Sequence, residues 1–562
     1  MVFILLSWIY IFITSLNFGI LFRKIVGIKN CHSIIHHILG LFFITLITSF
    51  AAFFTRINSE FYITILVLNF VIFFTSKTAF KQEIISLKNI FISFNFYFKL
   101  LFIGLFIITL AQSATKPYLI DNESYYIQTI KWVNEYGYVK GLSNLHPFFA
   151  QNSAWHTLQA AFNFPFLTNL LNDLNGFVFV LISFLAVEML NNFKSTNDKQ
   201  GFCFGLILLF TLFLMQFISS PSPDLLVFTL TLYVFYLFLN NFKKINSDSF
   251  KIILSIALFL CLVKVTIAII VIPVIVLFIK NFKLLKNNLP SLFLLSFVVL
   301  TIFIFKNILI SGYLLFPIES LDVFDFDWKQ PKSLIEFYNN GTYMAGFNNE
   351  NVSQLSQIER FWFWLNSSKL HGLFNKLYIL LLFVFPFIIY KEKRKVPFIF
   401  IYSLALAQFI ILWNNSPQYR FFFVFIIFLT IQIAITIIHK KKFLIILTFL
   451  SVFISAIPIF IEVNLNHFTT NSFALKLSTF KAKNIFVPEK TSKKINIYSK
   501  ENIEGFQFNS PNQDAFFWST GDGSLPCVNK KQLNYFKKHY KFVPQLRTGN
   551  LKDGFRSIKI EE

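Results

Sequence analysis

The sequence predicts an all-α polytopic membrane protein of about 14 segments, closed by a small C-terminal domain of mixed α/β or β-rich character. Three observations carry this reading. Across 562 residues the chain is 55% hydrophobic and only 14% charged, with a mean hydropathy of +0.62. Soluble chains carry about 25% charged residues, so a soluble enzyme is excluded over most of the length. Apolar runs recur from residue 2 to residue 461, and they are long and continuous rather than alternating, unlike the strands of an outer-membrane barrel. Beyond about residue 462 the runs stop, polar residues rise, and Pro488, Pro511 and Pro526 punctuate the chain.

The candidate segments are about 2–22, 34–54, 61–75, 99–114, 169–192, 202–219, 225–241, 252–264, 265–279, 290–310, 372–390, 397–413, 421–438 and 443–461. The first lacks the basic start and the small-residue cleavage site of a secretory signal, so it is read as a membrane segment. The 80 Phe residues are read as lipid-facing or core filler. The net charge of +23 does not point to nucleic acid, because the lysines sit between apolar runs. Cys31, Cys203, Cys261 and Cys527 are scattered, with no metal-ligand or disulfide spacing.

Orientation follows from the basic residues of the short loops. One set of loops, from Arg23 and Lys24 to Lys440, Lys441 and Lys442, holds 22 Lys and Arg in about 74 positions; the other holds 10 in about 135. The first set is therefore expected in the cytoplasm and both termini outside. Lys264 breaks the run 252–279. A single tilted helix would bury that charge at a cost of about 2.5–3.5 kcal/mol, so a short hairpin with Lys264 at its outer tip is expected instead.

Three parts follow: membrane segments over 1–98, a membrane domain over 99–461 with external loops 115–168 and 311–371, and an external domain over 462–562. Short strands are expected at Lys494–Tyr498 and Gly505–Asn509.

The unusual polar residues collect on the expected external side. In loop 115–168, Asp121 and Glu123 precede Tyr125, Gln128 and Trp132, whose spacing predicts an amphipathic interfacial helix. Asp121 has two readings, a general base or the N-cap of that helix. Asp224 follows Ser219-Ser220-Pro221-Ser222-Pro223, ordinary helix-start chemistry. Arg420 follows Asn414-Asn415-Ser416-Pro417-Gln418-Tyr419. An outward helix start with a cation favours an anion, although snorkelling explains Arg420 equally well. Lys264 is a second such cation. Loop 311–371 holds Glu319, Asp322, Asp325 and Asp327, in no calcium-loop spacing. It also holds Trp328, Trp362 and Trp364, which can stack on sugar or anchor the interface.

An acidic motif after a membrane helix (Asp121-Asn122-Glu123), outward helix starts with Asp224 and Arg420, and a terminal soluble domain together resemble the GT-C class of polytopic glycosyltransferases. The chain is similar in particular to uncharacterised bacterial membrane proteins with Gly312-Tyr313, Phe316-Pro317, Asp327-Trp328 and Pro417-Gln418-Tyr419-Arg420-Phe421 stretches. The resemblance covers most of the chain from about residue 100, and each motif is short. It implies a GT-C-like bundle in a bacterial cytoplasmic membrane. It further implies a polyprenyl-phosphate-linked sugar donor and transfer to a glycan or lipid acceptor on the periplasmic side. Asp121 would be the base, Arg420 and Lys264 the phosphate grip, and Glu123 an orienting group. Tyr125, Trp132, Asp224, Asp327 and Trp328 complete the expected substrate-binding set. No organic cofactor is implied; a divalent metal belongs to only one branch of the class. The acidic loop of that class follows the first membrane helix, whereas three segments precede it here.

Two other functions compete. A flippase of lipid-linked saccharides would favour pseudo-symmetric halves and midplane charges, and the sequence displays neither. An O-antigen-type polymerase or ligase uses similar external loops and differs in product chain length.

Overall fold

The computed structural model describes the chain except for residues 152, 167–169, 348–351, 472–478, 493–496, 513–514 and 561–562. Apolar segments become helices because only helices and closed barrels satisfy their own backbone in lipid. In chain order the helices are α1 (Val2–Val26), α2 (Ser33–Ala51), α3 (Ser59–Thr75), α4 (Lys77–Ser93) and α5 (Phe96–Ser113). After α5 come α6 (Ile127–Tyr136), α7 (Ala154–Phe162) and α8 (Leu174–Thr196). The span α9 (Lys199–Phe217) is followed by α10 (Asp224–Asn241) and α11 (Ser247–Val263), then by α12 (Val265–Lys280) and α13 (Phe282–Ser311). The remainder are α14 (Lys332–Phe347), α15 (Gln357–Leu365), α16 (Lys369–Lys391), α17 (Lys395–Trp413), α18 (Tyr419–Ile437), α19 (Lys441–Phe460) and α20 (Lys530–Tyr540).

Each of the fourteen expected segments corresponds to a helix, but the number of full spans is smaller. Among the described residues, eleven helices are long and apolar enough to cross a membrane. The shortfall is α3 and α11, at 17 residues each, and α12, which opens with a 3-10 stretch. Helix α4, read from sequence as a loop, turns by 86° from α3 and carries no buried residue. Its Glu83 holds it to the bundle, accepting from Ser33 at 2.7 Å and pairing with the buried His36 at 3.1 Å.

The hairpin expected at Lys264 is present. The backbone of Lys264 is extended (φ −156°, ψ 112°), and α12 folds back on α11, so Phe250 near the start of one meets Phe278 near the end of the other at 5.9 Å. The tip is tied down twice. Ser153 Oγ donates to the Val263 carbonyl at 2.5 Å, and Gln408 Nε2 donates to the Thr266 carbonyl at 2.9 Å.

Helices α1 and α2 join the same core. They cross with backbones in contact, since a Cβ on Gly19 would lie 1.9 Å from the His36 carbonyl oxygen and one on Gly40 1.8 Å from that of Ser15. Such close crossings let polar groups join helices inside a membrane. Ser15 bonds His37 at 2.8 Å, and Asn69 of α3 donates to Thr14 at 2.8 Å. Trp8 of α1 donates to the Asp173 carbonyl at 2.8 Å.

The C-terminal region holds two antiparallel pairs, β1 (Tyr498–Ile503) with β2 (Phe506–Pro511) and β3 (Phe542–Leu546) with β4 (Phe555–Lys559), with α20 between them in sequence. The first hairpin turns through Glu504 and Gly505, both with positive φ (49° and 83°), as its two-residue loop requires. Of the expected strand Lys494–Tyr498, Tyr498 opens β1 and Ile497 precedes it; residues 494–496 lie outside the described residues. The region is anchored on the loop after α5. Thr520 and Gly521 donate their amides to the Glu123 carbonyl at 2.9 and 2.8 Å, and Phe555 donates to the Lys140 carbonyl at 2.9 Å.

Gly40→Leu is expected to force α1 and α2 apart and to lower stability by about 2–3 kcal/mol. Thermal unfolding of the purified protein in detergent, beside Gly104→Leu, checks this, because a Cβ at Gly104 meets nothing within 4 Å.

Candidate functional site

Four helix ends meet at one end of the bundle. Asp121 follows α5, Asp224 opens α10, Lys264 is the hairpin tip, and Arg420 sits in the first turn of α18. The basic loop residues lie at the other end, where Lys24 reaches Ser76 at 2.8 Å, Lys251 reaches the Gly27 carbonyl at 3.0 Å, and Lys199 pairs with Glu392.

The four charges form two ion pairs. Arg420 Nη1 donates to Asp121 Oδ2 at 2.6 Å, across 299 residues of sequence. Lys264 Nζ donates to Asp224 Oδ1. The pairs adjoin, because Lys264 and Arg420 lie over the same ring, Phe421, at 4.6 and 5.0 Å from its centroid. Burial differs within the cluster: the Asp224 side chain is the deepest at 3% exposed, Lys264 and Asp121 are each 17% exposed, and Arg420 is the most open at 32%. Asp224 anchors the cluster, and Arg420 is the member a ligand meets first.

Asp121 is not an N-cap. Its backbone is already helical and its side chain makes no capping bond. The next five residues, Asn122–Tyr126, form a π-helical stretch, a rare geometry that recurs at functional sites. The wide turn splits the motif. Asp121 faces Arg420, and Tyr126 donates back to Asp121 Oδ2 at 3.4 Å. Glu123 faces the opposite way, accepting from Ser492 Oγ at 2.7 Å.

Of the expected site residues, Asp121, Asp224, Lys264 and Arg420 come together, with Tyr125 beside them. Glu123, Trp132, Asp327 and Trp328 contact the C-terminal region instead. Trp132 is fully buried with its ring 5.6 Å from that of Phe555. Asp327 takes a bidentate pair from Arg547 at 2.7 and 3.1 Å. Trp328 donates to the Ile308 carbonyl at 3.1 Å and lies under Lys140 and Arg547. The expected interfacial helix, α6, is also covered: Gln128 donates to the Gly523 carbonyl at 2.7 Å, and Lys131 pairs with Asp522 at 2.5 Å.

Sequence reasoning missed Tyr126, His156, Gln151 and Tyr338. The His156 ring is buried and packs on Tyr126 at 4.6 Å. Burial, reinforced by the Lys306 ammonium, pushes its pKa down to about 3, so the imidazole is neutral. Burial also raises the Tyr125 and Tyr126 phenols well above their ordinary range, the Asp121 carboxylate adding to it. Asp121 and Asp224 each face a cation, and among the described residues no group of three His, Cys, Asp or Glu could hold a metal ion. The residues do not fit a resident divalent ion.

Two outcomes are expected. Lys264→Met leaves Asp224 uncompensated and costs about 3 kcal/mol or more, whereas the double variant with Asp224→Asn recovers most of that loss; unfolding of the two variants compares them. His156 is proton-poor in the folded state, so its contribution is intact above pH 6.5 and is lost as pH falls toward 3. The acid-induced drop in unfolding temperature should shrink in His156→Phe.

No curated protein and no solved structure matches the chain. A family model described as a domain of unknown function (DUF8201) matches residues 1–427 and includes all four charged residues of the cluster; the chain belongs to that family.

Proposed function

We propose that this multi-pass membrane protein is a glycosyltransferase. It moves a sugar from a polyprenyl-phosphate-linked donor to a glycan or lipid acceptor, in assembly of cell-envelope polysaccharide or glycoconjugate. The observation that carries this reading is the meeting of Asp121–Arg420 with Asp224–Lys264 at four helix ends, opposite the basic end of the bundle. By the positive-inside rule, the cluster then faces the outside of a bacterial cytoplasmic membrane, at the depth of a lipid phosphate.

The chemistry follows from the pairing. At rest Arg420 neutralises Asp121. A donor phosphate takes the guanidinium in bidentate fashion, with Lys264 beside it over Phe421. Asp121 is then released from the guanidinium and can accept a hydrogen bond from the acceptor hydroxyl. The acceptor hydroxyl attacks the anomeric carbon from the face opposite the phosphate and gives its proton to Asp121. The bond between that carbon and the phosphate oxygen breaks, and polyprenyl phosphate leaves on Arg420 and Lys264. Inversion at the anomeric carbon results. Tyr126, donating to Asp121, steers the carboxylate. Glu123 serves in this scheme by fixing the π-helical stretch to the C-terminal region rather than by touching substrate.

Asp121→Asn should lower transfer about 10²-fold or more, with insertion and folding retained. Membranes supplied with a polyprenyl-phosphate-linked sugar and an acceptor extract provide the assay; full transfer by that variant contradicts the role of Asp121.

A further inference from the structure

Beside the Asp121–Arg420 pair stands a wall of uncharged polar groups that the phosphate chemistry does not use. Gln151 ends the 3-10 turn Pro147–Gln151 and is exposed. Its amide lies between two phenols. Tyr125 Oη donates to Gln151 Oε1 at 3.1 Å, and Gln151 Nε2 donates to Tyr338 Oη. The Tyr125 ring stacks on Phe148 at 5.4 Å and 18°, and Phe148 meets the edge of Tyr338 at 5.2 Å. The Tyr125 ring meets that of Tyr126 edge-on at 4.7 Å, and Tyr126 donates to Asp121 at 3.4 Å, so the wall adjoins the cluster.

The valence count decides what such a wall can bind. A primary amide has two N–H donors and two carbonyl lone pairs. One of each is used by the phenols. One donor and one acceptor remain, held in fixed orientation on an exposed residue. A saccharide hydroxyl needs one acceptor and one donor, and its ring presents a C–H face suited to an aromatic surface. The wall carries no charge, which disfavours an anionic sugar that would need a cation of its own.

We propose that Gln151, oriented by Tyr125 and Tyr338, is the specificity-determining group that reads a hydroxyl of an uncharged sugar on the lipid-linked donor. This rests on the phosphate-binding reading of Arg420 and Lys264. Phosphate affinity belongs to the two cations, and preference for the sugar-bearing lipid belongs to the glutamine.

Binding separates the two. The full chain in detergent is titrated with polyprenyl phosphate and with its glucose-, mannose- and N-acetylglucosamine-linked forms. At least one sugar-bearing lipid should bind the wild type about tenfold more tightly than the bare phosphate, the worth of one good hydrogen bond. Gln151→Ala, an exposed change that spares the core, should bring that ratio near one with the bare lipid still bound. Tyr338→Phe, which frees the amide to rotate, should reduce the ratio in part. A wild type that prefers no sugar-bearing lipid, or a Gln151→Ala protein that keeps the preference, overturns the proposal with phosphate binding intact. Failure of every lipid to bind removes the phosphate reading and this inference together.

Discussion

Charge at the end of a membrane bundle has to be compensated, and that constraint organises this protein. Four chain positions, 121, 224, 264 and 420, bring two carboxylates and two cations to one place, and each charge has an opposite partner. The Asp224–Lys264 pair is the deeper one and fixes the hairpin tip against the start of α10. Without a partner, Lys264 at the end of an apolar helix would carry a desolvation cost of several kcal/mol. With one, it lies beside Arg420 over Phe421. The inner pair thereby holds the outer pair in position, and the outer pair has the exposure that ligand exchange requires.

The segments around the cluster act as its support. The π-helical stretch after Asp121 points consecutive side chains in opposed directions, one set to the charges and one to the C-terminal region. That region grips the loop after α5 through Thr520, Gly521 and Phe555, and the loop after α13 through Arg547. The acidic and aromatic residues of both loops are thus partly consumed in holding the cover on. Preorganisation of this kind limits what must be ordered when a ligand arrives.

Much of the fold was legible in the sequence, because lipid imposes a length and a composition on every span. The hairpin was legible from one misplaced charge, Lys264, with basic residues at both ends of its run. Helix α4 was not, since its Lys77, Lys81 and Lys88 broke the apolar pattern and nothing in sequence reveals that Glu83 finds His36. In the site, the residue types at 121, 224, 264 and 420 stood out, yet their pairing could not be read, because it is a long-range choice among several acids and cations. The π-helical stretch shifts the phase of the following residues, so regular spacing aligned Tyr125 with Trp132 and passed over Tyr126. Glu123, Asp327 and Trp328 stood out equally, and their contacts became visible only with the C-terminal region in place. Gln151 and His156 gave no local signal at all.

In the proposed reaction Arg420 exchanges the Asp121 carboxylate for a lipid phosphate at the outer end of the bundle, with Lys264, still paired to Asp224, beside it. An experimental structure of the full chain in a lipid nanodisc with polyprenyl phosphate tests it most directly. The account predicts the phosphate within hydrogen-bond distance of Arg420 and Lys264, with the Asp121 carboxylate released from the guanidinium. A phosphate bound at the basic end of the bundle, with the Asp121–Arg420 pair still closed, would contradict it.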